Sequence, residues 1–174
     1  QLLLTDTNSS NSYGRVRGNG GNLILSADVN NASGGSIINF EIDGSEMARI
    51  DASGRVGIGV TPTDFHSNNT AVLQLKDGNS IFSRSGGDFL GIFQNLKYNS
   101  SDVTQYVANG LGSAYFQAAG VHKFYSVSSG TANNNATLSE KVRIQAGGGI
   151  SFNGDTAAAN ALDDYEEGTW TPAN

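Results

Sequence analysis

Four carboxylates crowded near the end of the chain, Asp163, Asp164, Glu166 and Glu167, are the side chains whose type best suits acid–base chemistry. Paired carboxylates hydrolyse glycosidic bonds when they flank one bond at a fixed separation. These lie in a single short segment, and a run of like charge is ordinarily a solvated linker. Calcium would accept the same oxygens, but no D-x-D-x-D-G loop accompanies them. His66 and His122 are the only histidines. Neither has a second ligand at metal spacing, so a metal would need one imidazole from each of three copies. The string G-R-V-G-I-G (54–59) departs from G-x-G-x-x-G and leads into neither a helical period nor a Lys-Ser/Thr pair, so it cradles no phosphate. No Ser-His-Asp set stands out among so many serines. The expectation is a protein that is not an enzyme and carries no cofactor and no metal.

Recognition is the other chemistry on offer. Tyr98, Tyr106 and Tyr115 lie mid-chain, near Phe116 and Tyr125. An exposed tyrosine is a rigid, amphipathic contact for a saccharide or a protein. Tyr98 and Tyr106 flank the polar loop N-S-S-D and are, with Tyr115, the candidate binding residues; Phe116 reads as core. Trp170, in G-T-W-T-P, suits an anchor for a following module.

The elements that must position these residues are short. The chain has 174 residues, 23 of them glycine, only two prolines, no cysteine and a net charge of −6. Disulfides and thiolate metal sites are thereby excluded, which suits assembly in a reducing compartment. The ten basic residues are scattered, leaving no footprint for a nucleic-acid backbone. No run of apolar residues is long enough to span a bilayer, and no signal peptide is visible. Gln1 at the start and T-W-T-P near the end are what a segment of a longer polypeptide would show.

Strand signals recur throughout: Asn22–Val29, Ile37–Ile42, Val72–Lys76, Ser80–Arg84, Phe89–Phe93, Leu96–Tyr98, Val103–Val107, Ala114–Gln117 and Lys123–Val127. They are separated by Asp-Gly, Asn-Gly and Gly-rich turns, the pattern of an all-β chain of short antiparallel strands. Gly14–Gly21 reads as a turn-rich passage, and Thr156–Leu162 as one or two helical turns.

One pattern occurs twice. Glu46–Ile58 (E-M-A-R-I-D-A-S-G-R-V-G-I) and Glu140–Phe152 (E-K-V-R-I-Q-A-G-G-G-I-S-F) match at one constant offset in Glu, Arg, Ile, Ala, Gly and the closing apolar positions. Each reads as a strand, a turn and a second strand. Gly54 and Gly148 take the turn position that needs positive φ. Repetition of a β-hairpin marks a modular, elongated protein. Its apolar stripe needs a partner that one thin chain does not supply, at an apolar fraction of 37%.

Residues 38–62, I-N-F-E-I-D-G-S-E-M-A-R-I-D-A-S-G-R-V-G-I-G-V-T-P, resemble a module of tail fibres and other tail appendages of tailed bacteriophages, notably marine ones. L-D-D-Y-E-E-G-T-W-T-P (162–172) is similar to the segment that follows such modules, and A-G-V-H-K-F-Y-S-V-S-S-G-T-A resembles the same proteins. The resemblance implies an elongated, intertwined homotrimeric fibre in the virion, assembled in the host cytoplasm. Its partners would be its own copies, other tail proteins and a host-surface glycan or protein, with no nucleic acid and no membrane insertion. A tailspike enzyme that degrades surface polysaccharide and a pure stalk segment are the alternatives. The expected divisions are an N-terminal β segment (1–62), a middle antiparallel module (63–137), a second hairpin (138–154) and an acidic linker (155–174). Glu46 and Arg49, three apart, are expected on opposite sides of a strand. They would then pair only across a trimer interface, or else be two ordinary solvent-facing charges.

Overall fold

The computed structural model describes residues 2–5, 13–29, 31, 34–63, 65 and 69–162, without the side chains of 3, 5, 69 and 70. The described residues form an all-β protein whose strands pair antiparallel with a single parallel exception. The chain divides into two compact units, Gln1–Thr63 with Ala71–Lys76 and Asp64–Thr70 with Asp77–Asn174.

In the first unit, β1 (Leu2–Thr5), β2 (Tyr13–Asn19) and β3 (Asn22–Ser26) make an antiparallel meander. The passage 14–21, expected to be turn-rich, is mostly strand. β2 pairs on both sides, which uses its backbone groups in ladders despite its glycines, and only Gly20–Gly21 turn. A second group follows: β4 (Ile38–Ile42), β5 (Ser45–Ile50) and β6 (Val56–Ile58), with Asp43–Gly44 as the two-residue turn between β4 and β5. The parallel pairing is β6 with β7 (Asn69–Leu75), Val56 facing Leu73 and Ile58 facing Leu75.

The second unit holds β8 (Asn79–Arg84), β9 (Phe89–Gln94), β10 (Leu96–Tyr98), β11 (Thr104–Tyr106), β12 (Gly110–Ala118), β13 (Val121–Gly130), β14 (Ser139–Ile144) and β15 (Ile150–Phe152). All seven strands expected between Val72 and Val127 are present. β8, β9, β12, β13, β14 and β15 pair in that order, and β10–β11 is a separate hairpin inserted between β9 and β12. The second repeat hairpin, β14–β15, thus continues the sheet of the middle strands. The polar loop expected from Ser128 begins later, because β13 runs on to Gly130. In place of one or two helical turns over 156–162 there is a single 3-10 turn, Ala158–Asn160.

The core of this unit sits under the β10–β11 hairpin. Phe82, Phe93 and Leu96 are each 1% exposed. The Phe82 ring lies 4.8 Å from Phe93, 5.5 Å from Tyr98 and 5.5 Å from Phe65, and meets Tyr98 edge-on. Gly91 pairs with Phe82 on one side and Phe116 on the other; a Cβ there would run into the Phe82 ring, so the missing side chain makes room for the central aromatic. Arg84 closes the rim, its guanidinium 5.0 Å from the Phe89 ring centre and 4.7 Å from that of Tyr98, with Nη2 2.8 Å from Asp102. Such cation–aromatic contact adds about 0.5–2 kcal/mol. Truncating the central ring, Phe82→Ala, is expected to lower unfolding free energy by about 3–5 kcal/mol. Denaturant titration checks this; a loss under 1 kcal/mol would place the core elsewhere.

Candidate functional site

The two copies of the repeat are built alike down to single hydrogen bonds. In the first, the Asp51 N–H donates to Arg55 O (3.0 Å) and the Gly54 N–H to Asp51 O (2.9 Å). In the second, the Gln145 N–H donates to Gly149 O (3.0 Å) and the Gly148 N–H to Gln145 O (3.0 Å). Gly54 has φ 76° and Gly148 φ 98°, so both occupy the positive-φ position expected of them. Beyond the second strand, the Gly59 N–H donates to Met47 O and the Asn153 N–H to Lys141 O. Gly59 (φ 66°) and Asn153 (φ 54°) are equivalent, and asparagine is among the residues that tolerate this conformation. The second copy's departure in sequence therefore keeps the turn's hydrogen bonds, while the backbone differs at one place: Gly149 has φ 82°, and its equivalent Arg55 does not enter the positive-φ region.

The Glu/Arg pairs pair within the chain, contrary to the expectation from strand alternation. Arg49 Nε and Nη2 reach Glu46 Oε1 and Oε2 at 2.5 and 2.7 Å, and Arg143 reaches Glu140 at 2.8 and 2.9 Å. The cause is a β-bulge at the same place in each copy. Phe40 faces Ala48 and Glu41 faces Glu46, which leaves Met47 over; Phe124 faces Val142 and Tyr125 faces Glu140, which leaves Lys141 over. One extra residue restores Glu and Arg to one side of the sheet. The hydrogen bond from its arginine holds each glutamate below its ordinary value. Tyr125, whose hydroxyl donates to Glu140 at 3.3 Å, is pushed up to about 12 by burial and by that carboxylate.

The opposite faces carry no charge. In the second unit, register places Ile81, Ile92, Tyr115, Phe124, Val142 and Phe152 in one transverse row. A neighbouring row runs Ser83, Leu90, Gln117, His122, Ile144 and Ile150, and a third holds Gln94, Ser113, Ser126 and Ser139. No Asp, Glu, Lys or Arg stands in any of them. Yet Ile92 is 40% exposed, Phe124 43% and Phe152 48%. The first unit repeats this with Ile38, Phe40, Ile42, Ala48, Ile50, Val56 and Ile58 on one face of β4–β6, Phe40 being 52% and Ile42 62% exposed.

The candidate binding tyrosines separate. Tyr98 and Tyr106 are 7% and 5% exposed, packed between the hairpin and the sheet, and the Tyr106 hydroxyl donates to Ser128 O at 2.5 Å. They are core residues, a correction to their reading as contacts: the polar loop between them turns outward while the strands that carry them fold inward. Tyr115 is half-exposed in the uncharged face, its hydroxyl 2.6 Å from His122 Nδ1 and accepting from Gln117 Nε2 at 2.9 Å. Burial of Phe116 agrees with its reading as core. His66, Trp170 and the carboxylates at 163, 164, 166 and 167 lie outside the described residues. Among the described residues no three His, Cys, Asp or Glu come together as a metal would require. Sequence reading missed a polar ledge on β10–β11. There Lys97 Nζ donates to Asn133 Oδ1 (2.9 Å) and Gln105 Nε2 to Asn135 Oδ1 (3.3 Å). Its signal was the run N-N-N at 133–135.

Two outcomes follow from the repeat. Stability from the Glu140–Arg143 pair is present above the unfolded glutamate value of 4.5 and is lost as pH falls through the lower folded value. Arg143→Gln should therefore destabilise by roughly 1–2 kcal/mol at neutral pH, with the gap to wild type closing at strongly acidic pH in denaturant titrations. A gap independent of pH would contradict the pairing. Gly54→Val should lose roughly 1–2 kcal/mol or more and Gly54→Asn distinctly less; equal losses would contradict the turn conformation.

Comparison with protein-family models, with curated proteins and with solved structures finds no match for this chain.

Proposed function

We propose that this chain is a structural and adhesive segment of a bacteriophage tail fibre that works as a homotrimer and contributes to attachment at a host surface. The observation that carries the reading is the duplicated three-stranded unit, β4–β6 and β13–β15, each with the same bulge, the same Glu–Arg pair and the same uncharged apolar face. An antiparallel sheet that meets water on one side normally alternates apolar and polar residues. Here the duplicated unit keeps its charged pair on one side and leaves the apolar side largely exposed, as suits strands whose apolar side is enclosed by neighbouring copies in a fibre. The resemblance of residues 38–62 and 162–172 to tail-appendage modules points the same way. Three chains per fibre and several fibres per particle would turn weak contacts into firm attachment.

Burial of Tyr98 and Tyr106 favours a second reading, a stalk segment with the receptor tip elsewhere. In the adhesive reading, contact from the middle region falls to the ledge of Lys97, Gln105, Asn133 and Asn135. Light scattering at micromolar concentration should give the mass of three chains, and a single-chain mass would contradict the fibre reading. Replacing the four ledge residues by alanine in the whole fibre should reduce particle adsorption at least tenfold; unchanged adsorption would leave this segment as stalk.

A further inference from the structure

The uncharged face of the second unit has no cover among the described residues. Its central row is made of Ile81, Ile92, Tyr115, Phe124, Val142 and Phe152. The opposite face of β8, β9 and β12 is closed by the β10–β11 hairpin. Resting on the trimeric fibre reading, we infer that a second copy of this chain packs on this face, and that the equivalent face of β4–β6 is covered in the same way.

Three observations select that occupant. The face is present twice, with Phe40, Ala48 and Ile58 in the places of Phe124, Val142 and Phe152. A partner that covers both must carry a matching surface twice, and the chain itself is such a molecule. The exposed aliphatic and aromatic side chains of the two faces, most of them 38% to 62% exposed, together amount to an area on the order of the 800 Å² per partner that a standard stable interface buries. The Tyr115 hydroxyl, in the central row, is already satisfied between His122 Nδ1 and Gln117 Nε2. That row can lose its water without orphaning a hydroxyl. His122 is the one titratable group besides Tyr115 in the three rows.

Phe124→Lys tests the assignment, because its site is 43% exposed in a single chain and should accept a lysine without loss of the fold. The variant should keep its β circular dichroism and fall from the mass of the assembly to that of one chain. Val103→Lys, on the covering hairpin and 37% exposed, should keep the assembled mass. Hydroxyl-radical footprinting of the unaltered chain supplies an arm that needs no variant: Phe124 should be oxidised more slowly than Val103, although the lone chain exposes both to a similar degree. If wild type assembles, Phe124→Lys keeps that mass and Phe124 is oxidised faster than Val103, the face is wrongly assigned while the fibre reading stands. If wild type is a single chain, a second copy is excluded as occupant and the fibre reading falls with it.

Discussion

The β10–β11 hairpin covers the aromatic side of β8, β9 and β12 and leaves their uncharged side open among the described residues, and the rest of the second unit follows from this inequality. Beneath the hairpin, Phe82, Phe93, Leu96, Tyr98 and Phe116 interlock, with Gly91 leaving space for the central ring. On the far side of the sheet Ile81, Ile92, Phe124 and Phe152 have no cover among the described residues. Strand β9 states the problem in six residues, F-L-G-I-F-Q: Phe89, Gly91 and Phe93 face inward, Leu90, Ile92 and Gln94 outward, and neither set carries a charge. Apolar side chains contribute about 25 cal/mol per Å² only when water leaves them. The part of the outward set left in water therefore contributes nothing to a lone chain and would contribute only where a partner covers it.

The bulge in each repeat keeps charge off that face. Without the extra residue at Met47 and Lys141, Glu46 and Glu140 would point into the apolar rows. With it they turn to the other side and meet their arginines in two-pronged ion pairs. The pairs thus act in the sorting of faces as well as in stability. At the position after the second strand the two copies share positive φ although the letters differ, with Asn153 in the place of Gly59.

Much of the fold was legible in the sequence because its signals are local. Asp-Gly, Asn-Gly and Gly-rich turns punctuate short apolar runs, and the strands fall between them. Positive φ at Gly54 and Gly148 was legible for the same reason. What escaped was long-range. Alternation counted from the sequence put Glu46 and Arg49 on opposite sides, because a bulge is a property of two paired strands and not of one. Tyr98 and Tyr106 looked like surface residues beside a polar loop, since nothing in N-S-S-D says that its hairpin folds over a sheet. The amide ledge at 133–135 was visible as letters but had no partner until β10–β11 stood beside it.

The central claim is that the uncharged faces are buried only between copies. The most direct measurement is the unfolding midpoint as a function of protein concentration, since a fold completed by association is stabilised by mass action. The account predicts a midpoint that rises steadily as concentration is raised from nanomolar to micromolar. A midpoint that stays constant over that range would mean that the lone chain is stable with its apolar faces in water, and would contradict it.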